Sequence, residues 1–171
     1  VNAVDTQGPK SGPANLHIGL ASVRPGTGAI VAMYGGPDYL KRQLNNATQG
    51  IAQAGSTFKP FALIAGLEKG ISLSSIWNGN SPQTFDDAGK PYEVGNFGLK
   101  SFGDISLLKA TASSVNTVYV PLGIYAGPEN VIDAARRAGI PQSVEMVATP
   151  SVVLGVASPR VIDVAAAFAT F

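Results

Sequence analysis

The segment AGSTFKPF places a hydroxyl and an amine three residues apart, at Ser56 and Lys59. Residues at this spacing lie on one face of a helix, so the two groups can come within hydrogen-bonding distance. A serine hydroxyl becomes a good nucleophile when an adjacent base takes its proton, and lysine can be that base when burial disfavours its charged form. The pair therefore indicates catalysis by a nucleophilic serine with a lysine base.

The residues that follow predict a buried helix that begins near Ser56. The run to Lys69 is apolar on nearly every side, and Gly70 suits the position just after a helix. Pro60 is tolerated only close to the helix N-terminus, which supports this start. The free N–H groups of such an N-terminus are suited to stabilising an oxyanion.

The same residues also have a purely structural interpretation. Ser56 or Thr57 can cap the helix, while Lys59 extends its stem towards solvent. A serine followed three residues later by a lysine is also common by chance. The catalytic interpretation therefore needs support from further motifs.

The segments before this helix predict a β-hairpin. LHIGLASV and AIVAMYGG are apolar runs of strand length joined by RPGTG. Pro25 and Gly26 suit the two central positions of a type II turn. We therefore expect an antiparallel strand pair upstream of Ser56.

The segments after it predict a long excursion and then helices. NGNSPQTFDDAGKPYEVGNFG is rich in Gly, Pro and Asn and is expected to contain a short hairpin. Asp86 and Asp87 are interpreted as exposed loop carboxylates in preference to a cation site. The Asn96 region and Trp77 could border a cleft, but they are interpreted as ordinary loop and packing residues.

Four later segments are predicted to be helical. DISLLKATASS and VYVPLGIYAG lie on either side of SVN, and a third helix runs between Pro128 and Gly139. SPRVIDVAAAFATF predicts a helix with Ser158 as N-cap and Pro159 at the first helical position. The predicted elements come in the order strands and then helices, and further strands of the sheet are expected outside this sequence.

Composition excludes several classes of function. The chain has 171 residues, 45% hydrophobic and 13% charged, and a net charge of +1 without a basic cluster, which argues against nucleic-acid or anionic-membrane binding. Absence of cysteine excludes thiolate catalysis and disulfides. A metal site or a Ser-His-Asp triad would depend on His17, the one histidine, and nothing near it favours either. No apolar run is long enough to span a bilayer.

Several ordered segments resemble the transpeptidase domain of class A penicillin-binding proteins. NNATQGIAQAGSTFKPFALIAGLEKG is similar to the active-site segment of that family, and GLASVRPGTGAIVAMYGGPDY to the segment before it. KATASSVNTVYVPLG carries Ser114, Val115 and Asn116, which match the Ser-x-Asn second motif. VLGVASPRVIDVAAAFATF resembles a later segment. The resemblance covers about Leu16 to Phe171.

The resemblance implies an α/β fold of the α+β type, with an antiparallel sheet flanked by helices and the Ser56 helix at the centre. Residues 16–171 would be the N-terminal portion of the domain, and residues 1–15, which are polar and contain Gly and Pro, are interpreted as a linker. The chain is expected to be an excerpt of a longer protein anchored on the extracytoplasmic face of a bacterial membrane.

The second motif has a chemical interpretation of its own. The Ser114 hydroxyl can relay a proton between Lys59 and a leaving amine, and the Asn116 amide can hydrogen-bond Lys59 and a substrate amide. Without Ser56 and Lys59, a Ser/Asn turn that ends a helix would be the better interpretation.

The family also implies a third motif, Lys-Thr/Ser-Gly, on a strand beside the cleft that follows the second motif, and no lysine follows Ser114 in this sequence. That strand would supply an oxyanion N–H, a hydroxyl and a cation for the substrate carboxylate. A remaining segment of the same domain is therefore expected to complete the site.

The activity implied by the resemblance is DD-transpeptidation of peptidoglycan stem peptides that end in D-Ala-D-Ala. Ser56 would form the acyl-enzyme, Lys59 would be the base, and Ser114 and Asn116 would assist and bind substrate. β-Lactams would acylate the same serine, and no cofactor is expected.

Two other functions share these residues. A serine β-lactamase uses the same serine and lysine, but class A enzymes have Asp where Val115 stands, and no deacylating glutamate is evident. A penicillin-binding sensor without turnover is the second alternative.

Overall fold

The computed structural model describes residues 2–8 and 16–171. They divide into two units. Ser56, Lys59, Ser114 and Asn116 all belong to the second unit. The first unit comprises Val1–Gln53, Ala138–Val144 and Ser158–Phe171, and the second comprises Ala54–Arg137 and Glu145–Ala157.

The described residues contain both helices and short strands. Three pairs of antiparallel strands form, β1 with β2, β3 with β6 and β4 with β5, in place of the one sheet expected from the sequence. The mixed, α+β-type architecture is confirmed. In chain order the elements are α1 (Asn2–Gln7), β1 (Leu20–Val23), β2 (Ile30–Tyr34), α2 (Lys59–Glu68), β3 (Ile76–Asn78), β4 (Gln83–Asp87), β5 (Lys90–Val94), β6 (Asp104–Ser106), α3 (Leu107–Ala112), α4 (Asn116–Ala126), α5 (Pro128–Ala138) and α6 (Val161–Phe168).

The first unit contains the predicted hairpin. Leu20 of β1 lies opposite Tyr34 of β2 in antiparallel register. Gly26 has a φ of +79°, as the second central position of a type II turn requires. α6 packs against β1. The hairpin prediction is therefore confirmed.

The start of α6 differs from the prediction. The helix begins at Val161, with Arg160 as its N-cap residue, so Ser158 and Pro159 lie before it. The Asp163 carboxylate accepts the Arg160 backbone N–H at 3.0 Å and also pairs with the Arg160 guanidinium at 2.6 Å. This reciprocal contact fixes the first turn two residues later than the Ser-Pro pattern suggests.

The predicted linker is described only in part. Asn2–Gln7 form the short helix α1. Residues 9–15 lie outside the described residues. The assignment of residues 1–15 as a linker stays a prediction.

The core of the second unit forms where α2 packs against α4. Gly66 permits this approach, because a Cβ there would lie 2.8 Å from a methyl group of Leu122. The remaining core residues are apolar and fully buried. They include Phe58, Phe61, Leu107, Val118, Val131, Val152 and Val153.

The predicted Ser56 helix consists of two parts. Gly55–Phe58 form a 3₁₀ turn, and the α-helix begins at Lys59. Pro60 therefore lies in the first helical turn, where its missing N–H costs little. Gly70, with a φ of +85° and an N–H that donates to the Leu67 carbonyl, ends the helix as predicted.

The excursion between α2 and α3 holds the expected short hairpin and two unexpected strands, β3 and β6. β4 and β5 pair across Ala88 and Gly89, which both have positive φ, as tight hairpin turns require. Asp104–Ser106 were predicted to begin a helix, which is wrong. They pair instead with β3, and Ser106 then caps α3.

The turn that carries Ser56 is held by a second stretch of backbone. The Ala54 N–H donates to the Ala157 carbonyl at 2.9 Å, and the Gly55 N–H donates to the Gly155 carbonyl at 3.0 Å. Gly155 has a φ of +70°, and a Cβ there would overlap the Gly55 backbone. Close backbone contact therefore sets the position of the residue before Ser56.

We expect Gly155→Ala to lower the free energy of unfolding by roughly 2–4 kcal/mol, because backbone strain and overpacking act together. Gly89→Ala is the matched control. Its φ is +83° with open space around the position, so it should lose only about 1 kcal/mol. Urea unfolding measures both, and equal losses in the two variants would show that the contact with Gly55 is unimportant.

Candidate active site

The Lys59 amine lies at the centre of the predicted site. Its Nζ is 3.2 Å from Ser56 Oγ, 2.9 Å from Ser114 Oγ and 2.6 Å from Asn116 Oδ1. The side chain is only 3% exposed, which contradicts the alternative of a stem extended to solvent. The fold therefore brings together all four residues singled out from the sequence.

The backbone carbonyl of Ser114 is a fourth hydrogen-bond partner of the Lys59 amine. Lys59 Nζ donates to this oxygen at 2.6 Å. Sequence analysis did not predict it, because a carbonyl leaves no signature in residue type. Ser114 thus contacts Lys59 through both its main chain and its side chain.

The chemistry of these partners suits a neutral lysine. The Ser114 carbonyl oxygen and Asn116 Oδ1 can only accept, whereas the two hydroxyls can accept or donate. A neutral amine can give its two N–H groups to those acceptors. Its lone pair then remains for the hydroxyl of Ser56 or Ser114, which is the arrangement that a general base needs.

The orientation of the Asn116 amide follows from a second hydrogen bond. Asn116 is the first residue of α4, and its Nδ2 donates to the Gly95 carbonyl at 2.8 Å. The opposite orientation would direct two acceptors at each other. Gly95 therefore directs Asn116 Oδ1 towards Lys59.

Burial lowers the pKa of Lys59 from 10.5 to about 8, because it disfavours the charged amine. The Tyr119 ring lies 5.5 Å from Nζ, and burial raises the pKa of its own phenol. The phenol therefore stays neutral in the pH range where Lys59 titrates. At pH 7 roughly one Lys59 amine in ten is neutral.

Ser114 adopts an unusual backbone conformation at the junction of α3 and α4. Its φ is +53°, a left-handed value that costs a residue with a Cβ about 1 kcal/mol or more. Such strain persists where surrounding contacts determine it, and it clusters at functional sites. In this strained conformation, both the carbonyl oxygen and the hydroxyl of Ser114 contact Lys59.

A cleft of about 610 Å³ opens beside these groups. Ser56 is exposed, so its hydroxyl is accessible. The cleft is lined by Ser56, residues 95–97, Lys100, Phe102 and residues 113–116. The arrangement can hold an acyl group beside a serine, a base and a proton relay.

Asn96 is the residue that sequence analysis underestimated. It was interpreted as a loop residue, yet it is 6% exposed and accepts the Thr117 N–H at 3.0 Å. Thr117 lies 21 residues away in the sequence, so no local pattern indicates this role of Asn96. Trp77 is half-buried in β3, and its Nε1 donates to Ser75 at 2.7 Å, which agrees with packing.

The other titratable candidates lie outside this site. His17 is exposed in the first unit, before β1. Asp86 and Asp87 end β4, and Asp86 accepts the Gly89 N–H at 3.1 Å. Across residues 2–8 and 16–171, no cluster of three or more potential metal-binding side chains is present. Among those same residues, no helix has the length and hydropathy to cross a bilayer.

The family model for the penicillin binding protein transpeptidase domain matches residues 19–158. The match covers most of the chain, including Ser56, Lys59, Ser114 and Asn116. The chain therefore belongs to the penicillin-binding protein transpeptidase domain family, as its motifs predict.

Named relatives agree with this assignment. Penicillin-binding protein 1A of Escherichia coli is 33% identical over 151 residues, which are 88% of this chain and 18% of the relative. Penicillin-binding protein 1A of Mycobacterium tuberculosis is 35% identical over 170 residues, 91% of this chain and 20% of the relative. The chain thus spans about a fifth of the length of these relatives.

Solved structures support the fold. Penicillin-binding protein 1A of Haemophilus influenzae superposes with a TM-score of 0.80 at 32% identity, over 88% of this chain and 22% of that one. PonA1 of M. tuberculosis, in complex with penicillin V, gives 0.76 at 35% identity, over 88% and 42%. The architecture is that of a transpeptidase domain of which this chain is a part.

The strain at Ser114 yields a test of stability. Ser114→Gly and Ser114→Ala both remove the hydroxyl, but glycine accepts the left-handed backbone without cost. We expect Ser114→Gly to be more stable than Ser114→Ala by about 1 kcal/mol in urea unfolding. A less stable glycine variant would show that residue 114 is not left-handed in solution.

Proposed function

We propose that the protein containing this chain is a serine acyltransferase, a DD-transpeptidase that cross-links peptidoglycan stem peptides through an acyl-enzyme on Ser56. One observation carries the proposal. The buried Lys59 amine lies within hydrogen-bonding distance of the Ser56 hydroxyl, the Ser114 hydroxyl and the Asn116 amide oxygen. Membership of a transpeptidase family supports the class of reaction.

In the acylation step, Ser56 Oγ attacks the carbonyl carbon of the D-Ala-D-Ala peptide bond. Neutral Lys59 takes the hydroxyl proton as the new carbon–oxygen bond forms. Ser114 Oγ, 2.9 Å from Lys59 Nζ, relays a proton to the leaving amine as the carbon–nitrogen bond breaks. Free D-alanine leaves, and the rest of the stem peptide stays on Ser56 as an ester.

In the second step, an amine from a neighbouring stem peptide attacks this ester. Lys59 accepts the proton of the amine and returns it to Ser56 Oγ as the ester bond breaks. The products are the cross-linked peptide and the free serine. Neither step requires a cofactor.

Substrate binding would use the groups around the serine. The Ser56 N–H provides one half of an oxyanion hole. Asn116 Nδ2 carries two hydrogens, of which one binds the Gly95 carbonyl, so the second can bind a substrate amide. The Lys-Thr/Ser-Gly strand that the family implies would complete the site from another segment of the full-length protein.

β-Lactams would acylate the same serine, because their strained amide mimics the D-Ala-D-Ala bond. The similarity to PonA1, a protein with a structure in complex with penicillin V, supports this expectation. A substrate in the cell wall would place the site on the extracytoplasmic face of the membrane.

We expect intact-mass spectrometry of the full-length protein to show a stable adduct with one benzylpenicillin. Ser56→Ala should abolish it, because the nucleophile is lost. Ser143→Ala is the matched control, since Ser143 is an exposed serine that does not line the cleft. It should keep the adduct at an unchanged rate.

The outcomes separate the competing functions. Rapid hydrolysis of benzylpenicillin without a lasting adduct would indicate a β-lactamase. A stable adduct without cross-linking of stem peptides would indicate a sensor. An adduct that persists in Ser56→Ala would refute the assignment of the nucleophile.

Acylation by benzylpenicillin should accelerate as the pH rises from 6 to 9, with a midpoint near the Lys59 pKa of about 8. The sign follows because only the neutral amine can accept the Ser56 proton. Lys59→Met should lower the rate about 10²–10⁴-fold and remove this pH dependence. Stopped-flow measurement of the acylation rate tests both, and a flat wild-type profile would contradict the proposed base.

A further inference from the structure

Asn96 is a buried asparagine whose amide makes four hydrogen bonds. Its Oδ1 accepts from the Thr117 N–H at 3.0 Å and from Thr117 Oγ1 at 3.2 Å. Its Nδ2 donates to the carbonyl oxygens of Gly79 at 3.1 Å and Lys100 at 2.8 Å. The amide thereby uses all of its hydrogen-bonding capacity.

These bonds supply a cap that α4 lacks locally. The N-cap residue of α4 is Val115, which has no side-chain acceptor, and the Thr117 N–H is one of the helix's free donors. Asn96 satisfies this donor from a distant loop. It therefore acts on α4 as an N-cap side chain would.

The same contact bears on the site because Gly95 and Asn96 are neighbours. The Gly95 carbonyl accepts from Asn116 Nδ2 at 2.8 Å, and Asn96 Oδ1 accepts from the next residue, Thr117. Two consecutive loop residues thus hold the first two residues of α4. Release of Asn96 would also release the carbonyl that orients Asn116.

We propose that Asn96 is a positioning residue for the transpeptidase site: it fixes the Gly95 carbonyl so that the Asn116 amide presents Oδ1, and not its NH₂, to Lys59. The proposal rests on the function proposed above. An amide has two orientations of similar shape, and only one gives Lys59 an acceptor. The other would place N–H donors against the amine, so it would displace the base from Ser56.

The test uses benzylpenicillin acylation of the full-length protein, with the limiting acylation rate constant separated from the apparent dissociation constant. In Asn96→Ala we expect the rate constant to fall about tenfold or more, because the base is misplaced. The dissociation constant should change less than about threefold, since Asn96 acts through Asn116. Asn80→Ala is the control, an exposed asparagine of the same excursion, and should match the wild type.

A double-mutant cycle distinguishes positioning from a general loss of stability. If Asn96 acts through Asn116, Asn96→Ala should cause little further loss of rate in an Asn116→Ala background. Equal losses in the presence and absence of Asn116 would overturn the proposal. So would a lower melting temperature for Asn96→Ala with an unchanged rate constant.

Thr117→Val keeps the inference testable if Asn96→Ala does not fold. It removes one donor to Asn96 Oδ1 and preserves side-chain volume, and we expect a two- to fivefold lower rate constant. An unchanged rate constant would count against Asn96. Failure of the underlying function is distinct, because the wild-type protein would then form no Ser56 adduct at all.

Discussion

The requirement that a buried amine must find hydrogen-bond partners organises the second unit of this protein. The folded-state pKa of Lys59, about 8, lies below the unfolded value of 10.5. The unfolded chain therefore binds more protons between those values. Burial therefore destabilises the folded state below pH 8, and this cost disappears as the pH rises to 10.5. The contacts of Lys59 with Ser114 and Asn116 offset part of that cost.

Those contacts explain why the junction between α3 and α4 keeps a backbone conformation that is unfavourable locally. A left-handed Ser114 and a helix whose N-cap residue is Val115 are each unfavourable locally. Both become tolerable because partners elsewhere compensate: Lys59 binds both oxygens of Ser114, and Asn96 satisfies the Thr117 N–H. The junction is thus less stable locally, but it holds the groups around the Lys59 amine in a fixed arrangement, as is common at functional sites.

Ser56, the proposed nucleophile, is held by different means from Lys59, the proposed base. Ser56 is an exposed residue of a 3₁₀ turn, whereas Lys59 begins a helix buried against α4. The turn depends on backbone contact between Gly55 and Gly155, and the helix depends on close packing at Gly66. A buried amine beside an accessible hydroxyl suits acyl transfer, since the substrate must reach the serine while burial favours the neutral amine.

The sequence by itself identified the four candidate site residues and most of the local structure. The spacing of Ser56 and Lys59 puts them on one helical face, and turn residues such as Gly26 and Gly70 fix hairpin and helix ends. The ordered motifs also identified the family. β6 and the start of α6 were not predicted correctly. β6 forms only against β3, which lies far away in the sequence, and the first turn of α6 is fixed by the contact of Asp163 with Arg160 and not by the Ser-Pro pattern. Only the tertiary structure decided that Lys59 is buried and that Asn96 caps α4, because burial and hydrogen bonds between distant residues leave no periodic trace in a sequence.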